Sequence, residues 1–405
     1  MTHAVPPLRP GHHLLLLEGS RAFFPSLIAA IDGARREVLL ETYIFDFTGS
    51  GADVAYALER AARRGITVRL VIDGFGTPAL PPFWAMRFDA AHVQWALYSR
   101  TGAFGLLWPG QWRRLHRKLC VVDETVGFCG GINILDDYHD PNHGALLAPR
   151  LDFSLRVEGP LVQQMHQTMQ RQWSRIEAVG KLKRARWSGA FELWRAARPQ
   201  PARAAALPRQ GDSNVRAALL LRDNLRNRVV IERAYLRAIG RARDEIIIAN
   251  AYFVPGGRMR RALINAARRG VHVNLLVQGR YEYFMQYYAS RPVFGALLRA
   301  GAHIHEYAPS FLHAKVAVID GHWATIGSSN LDPLSLLLAR EANVVVDHPR
   351  FARRLRERLL HAMVQEGKRM DPAAYEKRPP WQRVKERLAL VVMRLLLVIQ
   401  GKKYL

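Results

Sequence analysis

The stretch LHRKLCVVDETVGFCGGIN, Leu115 to Asn133, places a histidine and a lysine two residues apart, then an apolar run, an aspartate and three glycines in five residues. LHAKVAVIDGHWATIGSSN, Leu312 to Asn330, repeats the arrangement. Both fit the spacing H-x-K-x4-D-x6-G-[GS]-x-N. Side chains alternate between the faces of a β-strand. His116 and Lys118 therefore share one face while Arg117 and Leu119 take the other, and His313 and Lys315 share a face in the second copy. A lone H-x-K arises easily by chance, but two full copies with matching tails do not.

The repetition extends outward from the motifs. ARREVLLETYIF (Ala34 to Phe45) matches ARDEIIIANAYF (Ala242 to Phe253), and AARRGITVRLVIDG (Ala61 to Gly74) matches AARRGVHVNLLVQG (Ala266 to Gly279). The chain is a duplicated unit. Each copy reads as a short β-branched strand, an amphipathic helix closed by a glycine (Gly65, Gly270), another strand, a further helix and the motif strand. This alternation predicts an α/β fold with a mixed sheet in each half.

Asp320-Gly321 is a hairpin signal. A two-residue turn there sets His313 across from Ser328, and the same rule at Asp123-Glu124 sets His116 across from Gly131. A small residue beside each histidine would let an anion approach backbone N–H groups, with Asn133 and Asn330 adding amide donors. A histidine, a lysine and an asparagine, each supplied twice, suit a tetrahedral phosphate. Two imidazoles are also what a phosphodiester exchange needs: one attacks phosphorus while the other protonates the departing alcohol and then deprotonates the acceptor. The lysines would neutralise charge on the equatorial oxygens. This chemistry requires neither a metal nor another cofactor.

Composition narrows the partners. The 405 residues are 49% hydrophobic, enough for substantial cores, and 59 Lys+Arg against 34 Asp+Glu give a formal charge of +25. Such a balance favours polyanions, either nucleic acid or an anionic membrane face. Cys120 and Cys129 lie in apolar runs inside the first motif and read as buried strand thiols, not a disulfide framework. Four leucines before Glu18 are too few for a signal-peptide core, so no cleaved leader is expected. The apolar tail Leu388 to Ile399 is too short to span a bilayer and is interrupted by Arg394.

The paired motif is similar to the signature of the phospholipase D superfamily, and the resemblance covers about Ala34 to Val346. It implies two α/β units related by a pseudo-two-fold axis, with both motifs meeting at one shared active site. Within the superfamily, ETYIFD, RVEGP (Arg156 to Pro160) and GSSNLDPLSLLLAREANVVV resemble the bacterial cardiolipin synthases of the B type. The resemblance brings His116, Lys118, Asp123, His313, Lys315 and Asp320 forward as the catalytic set and gives His116 the nucleophile role, although the chemistry is symmetric under exchange of the two histidines. The turn positions of Asp123 and Asp320 also suit a structural role, capping the hairpins. It further implies an acidic residue orienting each histidine: Glu341 in EANVVV for His313, and Asp152 in RLDFSL for His116. The expected reaction moves a phosphatidyl group from a donor such as phosphatidylglycerol or phosphatidylethanolamine to phosphatidylglycerol, with release of a small alcohol. The expected place is the cytoplasmic face of the cell membrane, as a peripheral protein. A nuclease or phosphodiesterase of the same superfamily is the alternative, disfavoured because the apolar loop and tail point to lipid. A scaffold with a dead site is disfavoured by the two complete motifs.

The domain reading is residues 1–175 for the first half, 176–225 for an Arg/Ala/Pro-rich linker with a short helix around Phe191 to Ala197, 226–368 for the second half and 369–405 for a basic amphipathic tail. Asp136 to His143, DDYHDPNH, has ligand-like residues without metal-site spacing and reads as a polar loop near the mouth. His12 and His13 read as a turn into the first strand. Thr101 to Trp112, TGAFGLLWPGQW, reads as an apolar lip beside the site, and Arg280 to Phe294 as helix packing or a lipid entrance. In the tail, Val384, Leu388, Val391, Leu395 and Val398 recur at helical spacing, with Arg383, Arg387 and Arg394 on another face and Lys402 and Lys403 following.

Overall fold

The computed structural model describes residues 4–99, 113–140, 143–184, 211–223, 227, 229–280, 284–332 and 339–399, without the side chains of 180–184, 284–286 and 393–399. The lip at Thr101 to Trp112, the helix around Phe191 to Ala197 and part of the aromatic run after Arg280 lie outside the described residues.

One mixed sheet runs through both halves, and its order displays the duplication. Outward from the seam, the first half runs through strands Arg9–Glu18, Phe153–Glu158, Val126–Gly130, Lys118–Val122, Glu37–Thr42, Thr67–Asp73 and Gln94–Tyr98. The second half runs in the same order through Asp212–Arg222, Ala339–Asp347, Trp323–Gly327, Lys315–Ile319, Glu245–Asn250, His272–Gln278 and His303–Tyr307. Arg9–Glu18 and Asp212–Arg222 pair with each other and close the seam. The parallel pairs Glu37–Thr42/Thr67–Asp73 and Glu245–Asn250/His272–Gln278 are joined through helices Gly49–Arg63 and Gly257–Arg268. Those helices end before Gly65 (φ 84°) and Gly270 (φ 90°), where the left-handed backbone favours glycine.

The seam carries a core shared by the two halves. Leu14, Leu119, Val121, Leu155 and Met165 from the first pack in one cluster with Val215, Val316, Val344 and Phe351 from the second. Separate cores lie on the outer side of each half, around Phe23, Leu58 and Phe88 and around Ile231, Leu263 and Ile304.

Three expectations are corrected here. The 176–225 linker is shorter than expected: helix Pro160–Arg184 continues into it, and Asp212–Arg222 is a seam strand with Val215, Ala217 and Leu219 buried on the shared core. His12 and His13 lie inside strand Arg9–Glu18, not in a turn, and His12 is fully buried. Each motif hairpin has three loop residues instead of two, since Ile319 pairs with Trp323 and Val122 with Val126. The His322 N–H makes the turn bond to Ile319 O, but the His322 carbonyl accepts from His348 N–H, so the ladder starts one residue later.

Candidate active site

Each histidine segment is stitched to the opposite half. Arg114–Leu115 pairs in parallel with Ala339–Arg340, and His116 N–H donates to Arg340 O at 3.0 Å. In the other direction Leu151 bridges Leu312, and His313 N–H donates to Leu151 O at 2.9 Å. The residue after each of these partners is an acid, so the acids reach across the seam. His116 Nδ1 lies 3.1 Å from the Glu341 carboxylate, and His313 Nδ1 lies 2.6 Å from Asp152 Oδ2. The expected partners are thus exchanged: Asp152 serves His313 and Glu341 serves His116. Strand pairing between the halves, not sequence proximity, decides the match.

With each Nδ1–H donating to a carboxylate, Nε2 is left as the reactive nitrogen of both rings. The histidine side chains keep 15% and 20% of their surface exposed, while Asp152 and Glu341 are buried. Lys118 and Lys315 are buried as well, and each ammonium donates to the carbonyl of its own motif histidine, Lys118 to His116 O at 2.7 Å. Burial lowers the pKa of His116, and Lys118 and Lys315 push the same way against Glu341. Burial, with Lys315 and Lys118, sets His313 well below its ordinary value. Burial also takes Lys118 down to about 7 and Asp152 up to about 6. The two motifs act on each other's groups and form one site.

Gly131 and Ser328, expected to expose amides to a phosphate, serve the acids instead. Gly131 N–H is taken by Phe153 O and Ser328 N–H by Ala342 O, at 2.9 and 3.0 Å. A Cβ on Gly131 would stand 2.3 Å from Asp152 Oδ1, so glycine makes room for that carboxylate. At the matching position Ser328 Oγ donates to Glu341 Oε2 at 2.5 Å. Asn133 and Asn330 are buried, and Asn133 Oδ1 accepts from Ile44 N–H at 3.2 Å.

Asp123 and Asp320 complete the motif but lie at the far ends of the motif strands. Asp123 accepts from the N–H groups of Arg35, Arg36 and Glu37, and Asp320 from those of Arg243, Asp244 and Glu245, all at 2.8 to 3.0 Å. Each caps the start of the neighbouring strand, which corrects their place in the catalytic set. Arg117 points to the opposite face, as alternation requires, and forms a buried ion pair with Glu41.

Sequence reasoning missed three contributors. Asp73 Oδ2 accepts from Leu115 N–H at 2.7 Å, and Gln278 Oε1 accepts from Leu312 N–H at 3.2 Å. These side chains fix the residue before each histidine, and they occupy matching places in the duplicated VIDG and LVQG segments. Burial raises Asp73 to about 6. The Tyr43 ring lies 4.8 Å from the His116 ring, with Lys118 Nζ 5.4 Å from its centre. The DDYHDPNH loop is held by its own contacts: Arg150 binds Asp140, Asp136 Oδ2 accepts from Ser50, and Asp137 accepts from Ser20 N–H.

The duplicated sheet and the crossed acid–histidine pairs define a two-repeat enzyme of the phospholipase D type. The family profile for "Cardiolipin synthase, PLD-like domain" matches residues 27–173 and 235–363. The chain is 36% identical to cardiolipin synthase B of Escherichia coli K12, over 95% of this chain and 89% of that one. It is 29% identical to cardiolipin synthase A of Cronobacter sakazakii, over 93% and 74%. The crystal structure of phosphatidylserine synthase from Haemophilus influenzae shares the fold, with TM-score 0.67, 13% identity and 96% of each chain covered. The chain belongs to the PLD-like cardiolipin synthase family, a family of phosphatidyltransferases.

Proposed function

We propose that the protein makes cardiolipin by two-step phosphatidyl transfer. His116 Nε2 attacks the donor phosphorus and forms a phosphohistidine, while His313, which takes up a proton at Nε2 as the anionic phosphodiester binds beside it, gives that proton to the departing glycerol or ethanolamine oxygen. His313 Nε2 then takes the proton from the primary hydroxyl of phosphatidylglycerol, whose oxygen attacks phosphorus and frees His116. A diester is exchanged for a diester, so the reaction needs no nucleotide. Lys118 and Lys315 offset charge on the phosphoryl oxygens, with Asn133 and Asn330 as further donors. The carrying observation is the pair of seam-crossing carboxylate–histidine contacts, which hold both rings in the tautomer this exchange uses.

A membrane surface is the natural source of both lipids. Among the described residues no helix is long and apolar enough to cross a membrane. The C-terminal helix Pro380–Ile399 packs on helix Phe284–Arg299, burying Ala389 and Leu390 against Val254 and Ala289. Its other face leaves Trp381, Val384, Leu388 and Val391 exposed, close to Arg383, Lys385 and Arg387. An apolar stripe with basic flanks suits an anionic bilayer. The test is incubation of the purified protein with labelled phosphatidylglycerol vesicles and, separately, with single-stranded DNA. Cardiolipin and glycerol from the first and no cleavage of the second are expected; DNA cleavage without lipid product overturns the reading.

A further inference from the structure

At the end of the sheet remote from the histidines, helix Pro160–Arg184 brings His166 against Glu37, at the start of its strand, and Glu124, in the first motif turn. One ligand atom from each lies within 4.8 Å of the other two. The five residues of strand Lys118–Val122 separate this cluster from the active site, about 16 Å at 3.3 Å per residue.

We infer that His166 and Glu124 hold a first-row divalent cation of the zinc type, with Glu37 as the carboxylate behind the histidine. His166 is 96% buried, with a relative exposure of 4%, and its Nδ1 has no hydrogen-bond partner. That nitrogen is aimed at Glu124 Oε2, 3.6 Å away. The separation is long for a hydrogen bond. It is close to the ~3.3 Å between neighbouring ligand atoms around a tetrahedral ion with bonds of about 2.0–2.1 Å. The other ring nitrogen, Nε2, lies 2.6 Å from Glu37 Oε1, the outer carboxylate that a metal-bound histidine ordinarily has. Gln170, one turn along the helix, donates to Glu37 Oε2 and accepts from Arg69, which steadies that carboxylate.

The second repeat supplies an internal contrast. Glu245 stands where Glu37 does, Gly321 replaces Glu124, and Arg356 on helix Pro349–Val364 occupies the place of His166. Arg356 satisfies Glu245 with both Nε and Nη2, at 2.5 and 3.3 Å. A permanent cation thus balances one carboxylate there, while the first repeat sets two carboxylates against a single imidazole. A bound divalent cation supplies the charge that the arginine supplies in the other half.

The test compares the full-length protein, stripped of metal, with His166→Arg, which copies the second repeat, and Glu124→Gln, a change in the turn. Zn2+ binding is followed by calorimetry and thermal unfolding, and Co2+ binding by its visible absorption. The wild type should bind one equivalent more than either variant and gain thermal stability with Zn2+; His166→Arg should match the metal-free wild type in stability and activity and gain nothing from the ion. Comparing variants removes any ion held by the catalytic histidines, which all three proteins share. Equal stoichiometry in the three proteins, or a Zn2+-dependent rise in stability that survives both substitutions, overturns the site.

Discussion

Asp152 of the first repeat lies 2.6 Å from Nδ1 of His313 in the second, and Glu341 returns the contact to His116 at 3.1 Å. Each motif histidine takes its acid from the other repeat. Asp152→Asn should lower kcat by about 10²- to 10⁴-fold with the fold retained, because the amide no longer fixes the ring tautomer. Gly131→Ala should reproduce the loss, since its Cβ would displace the Asp152 carboxylate. Steady-state kinetics beside circular dichroism decide it. Near wild-type kcat in Asp152→Asn would show that the contact does not matter for turnover.

Asp123 and Asp320 should behave as structural residues. Each collects three backbone N–H groups at a strand start. Replacement by alanine should destabilise the protein by about 1–3 kcal/mol in urea unfolding, while kcat per folded molecule stays within a few-fold of wild type. A loss of kcat as large as that of a histidine variant, without loss of stability, would return them to the chemistry.

Lys118 gives the site a defined pH signature. Its pKa falls from 10.5 to about 7 through burial, so between those values the unfolded chain holds the proton more tightly than the folded one. Stability linked to this residue is therefore at its lowest below pH 7 and rises as pH increases toward 10.5. Relative to Lys118→Met, the wild type should gain on the order of 1 kcal/mol per pH unit between pH 7.5 and 9.5. Urea unfolding at several pH values measures it. A difference that does not change with pH would contradict the depressed lysine.

The apolar face of the C-terminal helix is tested by Val384→Asp together with Leu388→Asp. These side chains are 63% and 61% exposed, so the double variant should keep the wild-type melting temperature to within about 2 °C. Binding to anionic liposomes, followed by sedimentation, should weaken by tenfold or more. Unchanged binding would move the membrane contact elsewhere on the molecule.

The duplication, the motif faces and the strand–helix alternation were legible because each rests on local periodicity, and the structure repeats the same strand order in both halves. The acid–histidine matching was not legible. It depends on Leu151 meeting Leu312 and Leu115 meeting Arg340, contacts between segments more than 150 residues apart. The extra residue of the second hairpin was hidden too, since the His322 carbonyl accepts from His348 N–H at the end of the neighbouring strand. Asp73 and Gln278 were visible as matching positions in the repeat, but an aspartate and a glutamine share no charge, only an acceptor oxygen, so their residue types carry no chemical signal for the common task. The tail helix showed its period, while the side that docks on Phe284–Arg299 is set by Ala389 and Leu390, which the pattern alone does not mark.

The central claim is that His116 carries the phosphatidyl group and His313 moves the proton. Phosphatidyl-p-nitrophenol separates these roles, because nitrophenolate leaves without needing a proton. The measurement is the acid-labile, base-stable lipid adduct on wild type, His116→Ala and His313→Ala, located by mass spectrometry. The adduct should form on His116 in wild type, accumulate on His116 in His313→Ala with no transfer to phosphatidylglycerol, and be absent from His116→Ala. An adduct that persists in His116→Ala, or its absence from all three proteins while the wild type still makes cardiolipin, would contradict the account.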